Sequence, residues 1–173
     1  MSRLRRLLLT DRYFFVTCNR LRTRRILGGD DFEILARVIA ERRAEHGFLL
    51  TAWVFLPDHW HAILALRPPR TISLIVEAVK VSSTRRINTC QKESGRLWQG
   101  RFFDRALRTV KEYHEAVEYI HLNPVRRGPA ARAEGWSWSS VHEYGFEKIS
   151  DAGQATALRV DRVRIPANET ARI

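Results

Sequence analysis

The chain has 173 residues, with 30 Lys and Arg against 19 Asp and Glu, a net charge of +11 and a pI near 10.7. A hydrophobic share of 45% argues against a disordered chain, and two cysteines are too few for a disulfide scaffold. No apolar run reaches the length of a membrane span. One domain of this size buries roughly 70% of its unfolded-chain surface. Only four of the basic residues are lysine (Lys80, Lys92, Lys111 and Lys148), which leaves 26 arginines. Arginine presents a planar fork that fits phosphate and stacks on bases, so the excess points to nucleic acid. A GC-rich genome would also raise the arginine count. The opening "MSRLRRLLLTDRYFF" has a basic flank but too short an apolar core for a signal peptide, so the protein is expected to be cytoplasmic and nucleoid-associated. Cys18 and Cys90 are expected to be reduced.

In chain order, "YFFVTC" (13–18) reads as a strand rich in aromatic and β-branched residues. An arginine-studded connection follows to 31. From Phe32 the residues Leu35, Ala36 and Ile39 recur at helical spacing, with Asp30 or Asp31 as cap and Gly47 as terminator. "FLLTAWVFL" (48–56) and "HWHAILAL" (59–66) form a hairpin turning at Pro57-Asp58. Past "RPPR", Thr71 caps a helix to about Thr89. "LWQGRFFDRAL" (97–107) is a fourth strand. Thr109 and Glu112 have capping-box spacing and open a helix reaching about Leu122, ended by "NPVRRGP". "WSWSS" (136–140) is expected to pack back on the body. The domain is expected to span 1–146, and 147–173 to be a polar tail, partly disordered or adding an edge strand through "LRVDRVRI". The order β-α-β-β-α-β predicts an α+β, ferredoxin-like antiparallel sheet with its first and third strands in the middle, plus a C-terminal helix.

Residues two apart in a strand share a face, so His59 and His61 project together while Trp60 turns away. Such a pair can bind one divalent ion, anchor a phosphate, or simply hydrogen-bond to neighbours. On the last helix the core stripe runs Tyr113, Val117, Ile120, and Tyr119 lies about 120° from it, leaving its hydroxyl free for chemistry. Asn123 lies nearly in line with Tyr119. Pro124 is expected to stop the helix and turn the Asn123 amide into the site, where its hard oxygen suits Mg²⁺ or Mn²⁺; a plain helix cap is the other role such an asparagine fills.

With these residues together, the sequence resembles the REP-associated branch of the single-tyrosine HUH transposases. The resemblance rests on "LPDHWHAIL", "LWQGRFFDR", "EYIHLNPVRRG" and "WSWSS", and runs from about Tyr13 to Tyr144. It implies that His59, His61 and Asn123 ligate a divalent ion and that Tyr119 is the nucleophile. The reaction implied is nicking and rejoining of DNA through a 5′-phosphotyrosine. The implied substrate is single-stranded DNA or a palindromic repeat folded into a hairpin, handled by a monomer or homodimer. The family usually has a smaller aliphatic residue where Trp60 stands, and the wider superfamily often has glutamine at the position of Asn123.

Arg20, Arg22, Arg24 and Arg25, the pair Arg126-Arg127, and Arg101 with Arg105 on one face of the fourth strand are candidates for nucleic-acid contact. Arg3, Arg5 and Arg6 form an arm or a charged terminus. Two other functions fit parts of the pattern. A non-catalytic ferredoxin-like nucleic-acid-binding module would explain the charge, and "GRFF" (100–103) echoes the aromatic strand motif of such modules. A replication initiator or relaxase would share the chemistry.

Overall fold

The computed structural model describes residues 12–144, 158–163, 168 and 170–173. The arm carrying Arg3, Arg5 and Arg6 and most of the expected tail lie outside them. Strands β1 (Arg12–Asn19), β2 (Leu49–Phe55), β3 (His59–Leu66) and β4 (Phe103–Leu107) form one antiparallel sheet ordered β2-β3-β1-β4. The first and third strands are therefore central, as the element order predicts. Helices α1 (Gly29–His46) and α2 (Ile72–Gln91) cover one face, and α3 (Val110–Arg127) lies on the other.

Strand alternation divides the core in two. Val16, Cys18, Trp53, Phe55, Trp60, Ala62 and Leu64 pack with Phe32, Leu35, Ile39, Ile75, Val76 and Val79. Phe15, Ala52, Val54, Ile63 and Leu107 pack instead with Tyr113, Ala116, Val117 and Ile120 of α3. Because β3 is buried along its whole length, its histidines needed a polar partner within the α3-side layer.

Several boundaries differ from the sequence reading. Helix α1 begins at Gly29 rather than Phe32. Asp31 works from inside its first turn, accepting the Gly28 N–H at 2.9 Å, and Gly47 ends it at φ 68°. Strand β4 starts only at Phe103. The segment before it cannot alternate, since adjacent Leu97 and Trp98 are both buried. Its backbone also bonds elsewhere, with Leu97 O taking Leu21 N–H at 2.8 Å and Gly100 O taking Lys80 Nζ at 2.9 Å. Thr109 caps α3 as expected, accepting Glu112 N–H at 3.2 Å, but the helix continues past Asn123 to Arg127 with Pro124 inside it. A proline disfavours helix in its predecessor without forbidding it, and removes one donor. Gly128, at φ 90°, ends the helix instead, its N–H reaching Pro124 O at 3.1 Å.

Strand β2 is an edge, and "WSWSS" covers it. Phe55 N–H donates to Trp138 O at 2.9 Å, Trp53 N–H to Ser140 Oγ at 2.9 Å, and Trp136 Nε1–H to Phe55 O at 2.8 Å. Residues 158–163 form no strand, yet Asp161 N–H donates to Leu50 O at 2.7 Å and Leu158 is buried in the core. Among the described residues no helix is long and apolar enough to cross a membrane.

Candidate active site

His59 and His61 sit at the start of β3 on the α3-facing side, with ring centroids 4.6 Å apart. Each ring is gripped by its Nδ1. His59 Nδ1 lies 2.5 Å from Asp58 Oδ1, and His61 Nδ1 lies 2.8 Å from Thr17 Oγ1, the residue opposite it in the β1–β3 register. That leaves both Nε2 atoms facing inward. His59 Nε2 is buried without a partner, and His61 Nε2 accepts from the Asn123 amide at 3.1 Å. Asn123 Oδ1 is likewise buried and unpaired. A half-turn of that carboxamide about its last torsion exchanges its oxygen and nitrogen.

Burial, followed by the charge of His59, lowers the His61 pKa to about 3, so this ring is neutral with its lone pair available at physiological pH. At Asp58, partial burial raises the pKa, but the bond to His59 and its charge outweigh that, and the net direction is down. The Asp58 carboxylate is therefore an acceptor that fixes the proton of His59 on Nδ1.

Two buried orphan atoms beside a neutral imidazole nitrogen are costly unless something satisfies them. Two imidazole nitrogens and one amide oxygen suit a hard or borderline divalent ion, with coordination sites left for oxygen ligands. The donor set fits such an ion. Among the described residues no group of three or more His, Cys, Asp or Glu is disposed to hold a metal, so this set, completed by a neutral amide, is the candidate.

Tyr113 and Tyr119 separate as their phasing predicts. Tyr113 is buried, while Tyr119 is 37% exposed. The Tyr119 ring packs edge-on to His61 with centroids 5.4 Å apart and to Phe15 at 5.7 Å, and Arg126 lies over it, its guanidinium carbon 5.3 Å from the ring centre. The continuation of α3 through Pro124 explains this arrangement. Tyr119, Asn123 and Arg126 are held on successive turns of one rigid helix, and the Asn123 amide reaches the histidines from within it rather than from a frayed end.

The candidate arginines divide. Arg24 binds Ser94 O, Asn88 Oδ1 and Glu93, and Arg25 grips buried Asp31 with both amino groups at 2.7 and 2.8 Å. Arg20 donates to Leu21 O and Arg24 O. These contacts tie the three side chains to the loop between β1 and α1, while Arg25 stays exposed. Arg22 is exposed, as are Arg126 and Arg127 at the end of α3. Arg105 pairs with Phe15 in the β1–β4 register and so shares the histidine face, whereas Arg101 precedes β4 and does not sit on a strand face with it. Asp58, Thr17 and Phe15 also line the site. The sequence signals for them were the carboxylate next to His59 and the alternation of β1.

The profile of the IS200-like transposase family matches residues 9–123. A REP-associated tyrosine transposase from Escherichia coli K12 is 30% identical over 160 residues, 90% of this chain and 94% of that protein. A Haemophilus influenzae protein named for the same family is 29% identical over 142 residues, 75% of this chain and 79% of that one. Among solved structures, a REP-associated tyrosine transposase bound to a REP hairpin superposes with a TM-score of 0.70 at 25% identity, covering 95% of this chain and 93% of the other. With a fold, a family profile and a full-length relative in agreement, the chain belongs to the IS200-like transposases, in their REP-associated tyrosine branch.

Proposed function

We propose that this protein nicks and rejoins single-stranded or hairpin DNA formed by palindromic repeats, with Tyr119 as nucleophile. The observation that supports this most is the Tyr119 ring lying 5.4 Å from that of His61, the imidazole grouped with two buried unpartnered lone-pair atoms, His59 Nε2 and Asn123 Oδ1. The E. coli relative's name and the hairpin-bound neighbour support the substrate class.

The phenol oxygen of Tyr119 attacks the scissile phosphorus. A phosphorus–oxygen bond to tyrosine forms as the bond to the 3′ oxygen breaks. The phenol gives up its proton and the departing 3′ oxygen gains one, leaving a 5′-phosphotyrosine and a free 3′-hydroxyl. One phosphodiester replaces another, so a different 3′-hydroxyl can reverse the step, joining strands without a nucleotide cofactor. His59, His61 and Asn123 would hold a divalent cation, Mg²⁺ or Mn²⁺, whose contribution when bound is Lewis-acid polarisation of the phosphate. Asp58 and Thr17 hold the two imidazoles in the tautomer that presents Nε2. Arg126, over the Tyr119 ring, would offset the negative charge of the phosphotyrosine as it forms. Arg127, Arg105 and Arg22, all exposed, would contact the DNA backbone. The compartment for this chemistry is the cytoplasm, at the nucleoid.

The test is a denaturing gel of protein incubated with labelled repeat-hairpin DNA and Mg²⁺ or Mn²⁺. A covalent band is expected that EDTA and His59→Ala abolish. Binding without any adduct, unaffected by His59→Ala, would instead favour a passive nucleic-acid-binding module.

A further inference from the structure

Phe103 opens β4 and is 56% exposed, although β4 is a sheet edge where a large apolar side chain invites pairing or aggregation. Its neighbours set its address. It is the register partner of Thr17, whose hydroxyl holds His61. Its ring packs edge-on to Phe15, centroids 6.4 Å apart, and Phe15 in turn stacks on His61 at 5.2 Å and meets Tyr119 at 5.7 Å. Phe103 is thus one ring removed from both the candidate nucleophile and a candidate ligand. Two residues on, on the same face, stands exposed Arg105. Its chain neighbour Phe102, just before the strand, packs instead against the α1–α2 core. Of the aromatic pair in "GRFF", one ring is structural and the other is presented outward.

An exposed ring flanked by a guanidinium, on a sheet surface continuous with a phosphodiester-cleaving site, has the composition of a single-strand platform. Every base has a π-face, and arginine neutralises the backbone that carries it. We propose that Phe103 stacks an unpaired base of the DNA strand adjoining the scissile phosphate, with Arg105 against that strand's backbone. This rests on the proposed function for the identity of the strand, and adds to it a residue that positions the strand over Tyr119. A second copy of this chain pairing along β4 is the competing occupant. The acidic Asp104 and the basic Arg105 in the middle of β4 oppose such pairing, while the surplus of positive charge favours a polyanion.

The experiment uses the full chain and a labelled palindromic hairpin whose single-stranded flank carries one abasic site at successive positions. Affinity is measured by fluorescence anisotropy in EDTA, which separates binding from cleavage. Phe103→Ala is expected to weaken binding to the intact flank on the order of tenfold, and Phe103→Trp to restore it. At one flank position the abasic substitution should weaken wild type by a similar factor and leave Phe103→Ala with no further loss. Equal losses on every flank, no loss at all, no binding to the hairpin by wild type, or a change in oligomeric state in place of the base-specific loss would overturn the proposal. Failure of the nicking mechanism looks different: the abasic position and Phe103 stay coupled, but wild type with Mn²⁺ gives no covalent adduct.

Discussion

At the scale of single residues, the candidate site depends on which nitrogen of each imidazole is free. Asp58 and Thr17 hold the Nδ1 atoms, and such outer contacts typically change metal affinity 10- to 100-fold when removed. Asp58→Ala is therefore expected to weaken Mn²⁺ binding, measured calorimetrically, by about tenfold or more, with Asp58→Asn partly restoring it. An unchanged affinity in Asp58→Ala would show that the contact does not orient the ring. The histidine pair and Tyr119 were legible in the sequence because period-2 and 3.6-residue arithmetic puts each on a definite face. Asp58 read only as a turn residue. Its side-chain bond depends on how tightly the hairpin closes, which composition does not carry. The ion pairs of the arginine loop were illegible for a related reason: a run of guanidinium groups looks the same in sequence whether or not, like Arg24 and Arg25, it also grips Glu93 and Asp31.

At the scale of elements, the exposed edge of β2 is closed by the segment after α3. Ser140 is the hinge of that closure. Its Oγ accepts from Trp53 N–H at 2.9 Å, donates to Trp53 O at 3.2 Å, and lies 3.0 Å from His121 Nε2, all buried. Ser140→Ala leaves these groups unsatisfied and is expected to lower unfolding free energy by about 2 kcal/mol in urea titration. A loss below about 0.5 kcal/mol would mean that water or a neighbour takes over the bonds. The sequence showed that "WSWSS" returns to the body, but not to which edge, since that follows from sheet order. The helix carrying Tyr119 was read one turn short. Pro124 is a strong local signal, yet burial of Asn123 and Pro124 and the left-handed Gly128 together extend α3 to Arg127.

For the whole molecule, charge and pH give two tests. Burial, with the nearby His142 adding to it, lowers the His121 pKa to about 4. The unfolded chain takes up that proton near pH 6.5, well before the folded one does. Stability is then full above about pH 6.5, falls as pH drops toward 4, and levels off below, with a loss of up to about 3 kcal/mol from this group. Replacing His121 with Gln should remove that share of the slope in denaturation curves recorded between those pH values; an unaltered slope would assign it elsewhere. Affinity for DNA should fall steeply and linearly with the logarithm of salt concentration, through counterion release by the arginine surface. A flat response would mean the charge of +11 is not spent on phosphate. The β-α-β-β-α-β order and the central position of β3 were legible because strand and helix patterns alternate along the chain, even though β2 carries a register shift between Leu50 and Ala52. The central claim remains that one phenol, and not its neighbour in the core, takes the DNA. Lys111 and Arg126 bound a tryptic peptide that holds both Tyr113 and Tyr119. Nuclease-trimmed adduct, digested and fragmented in a mass spectrometer, should carry its nucleotide on Tyr119. A nucleotide on Tyr113, or an adduct surviving in Tyr119→Phe, would contradict the account.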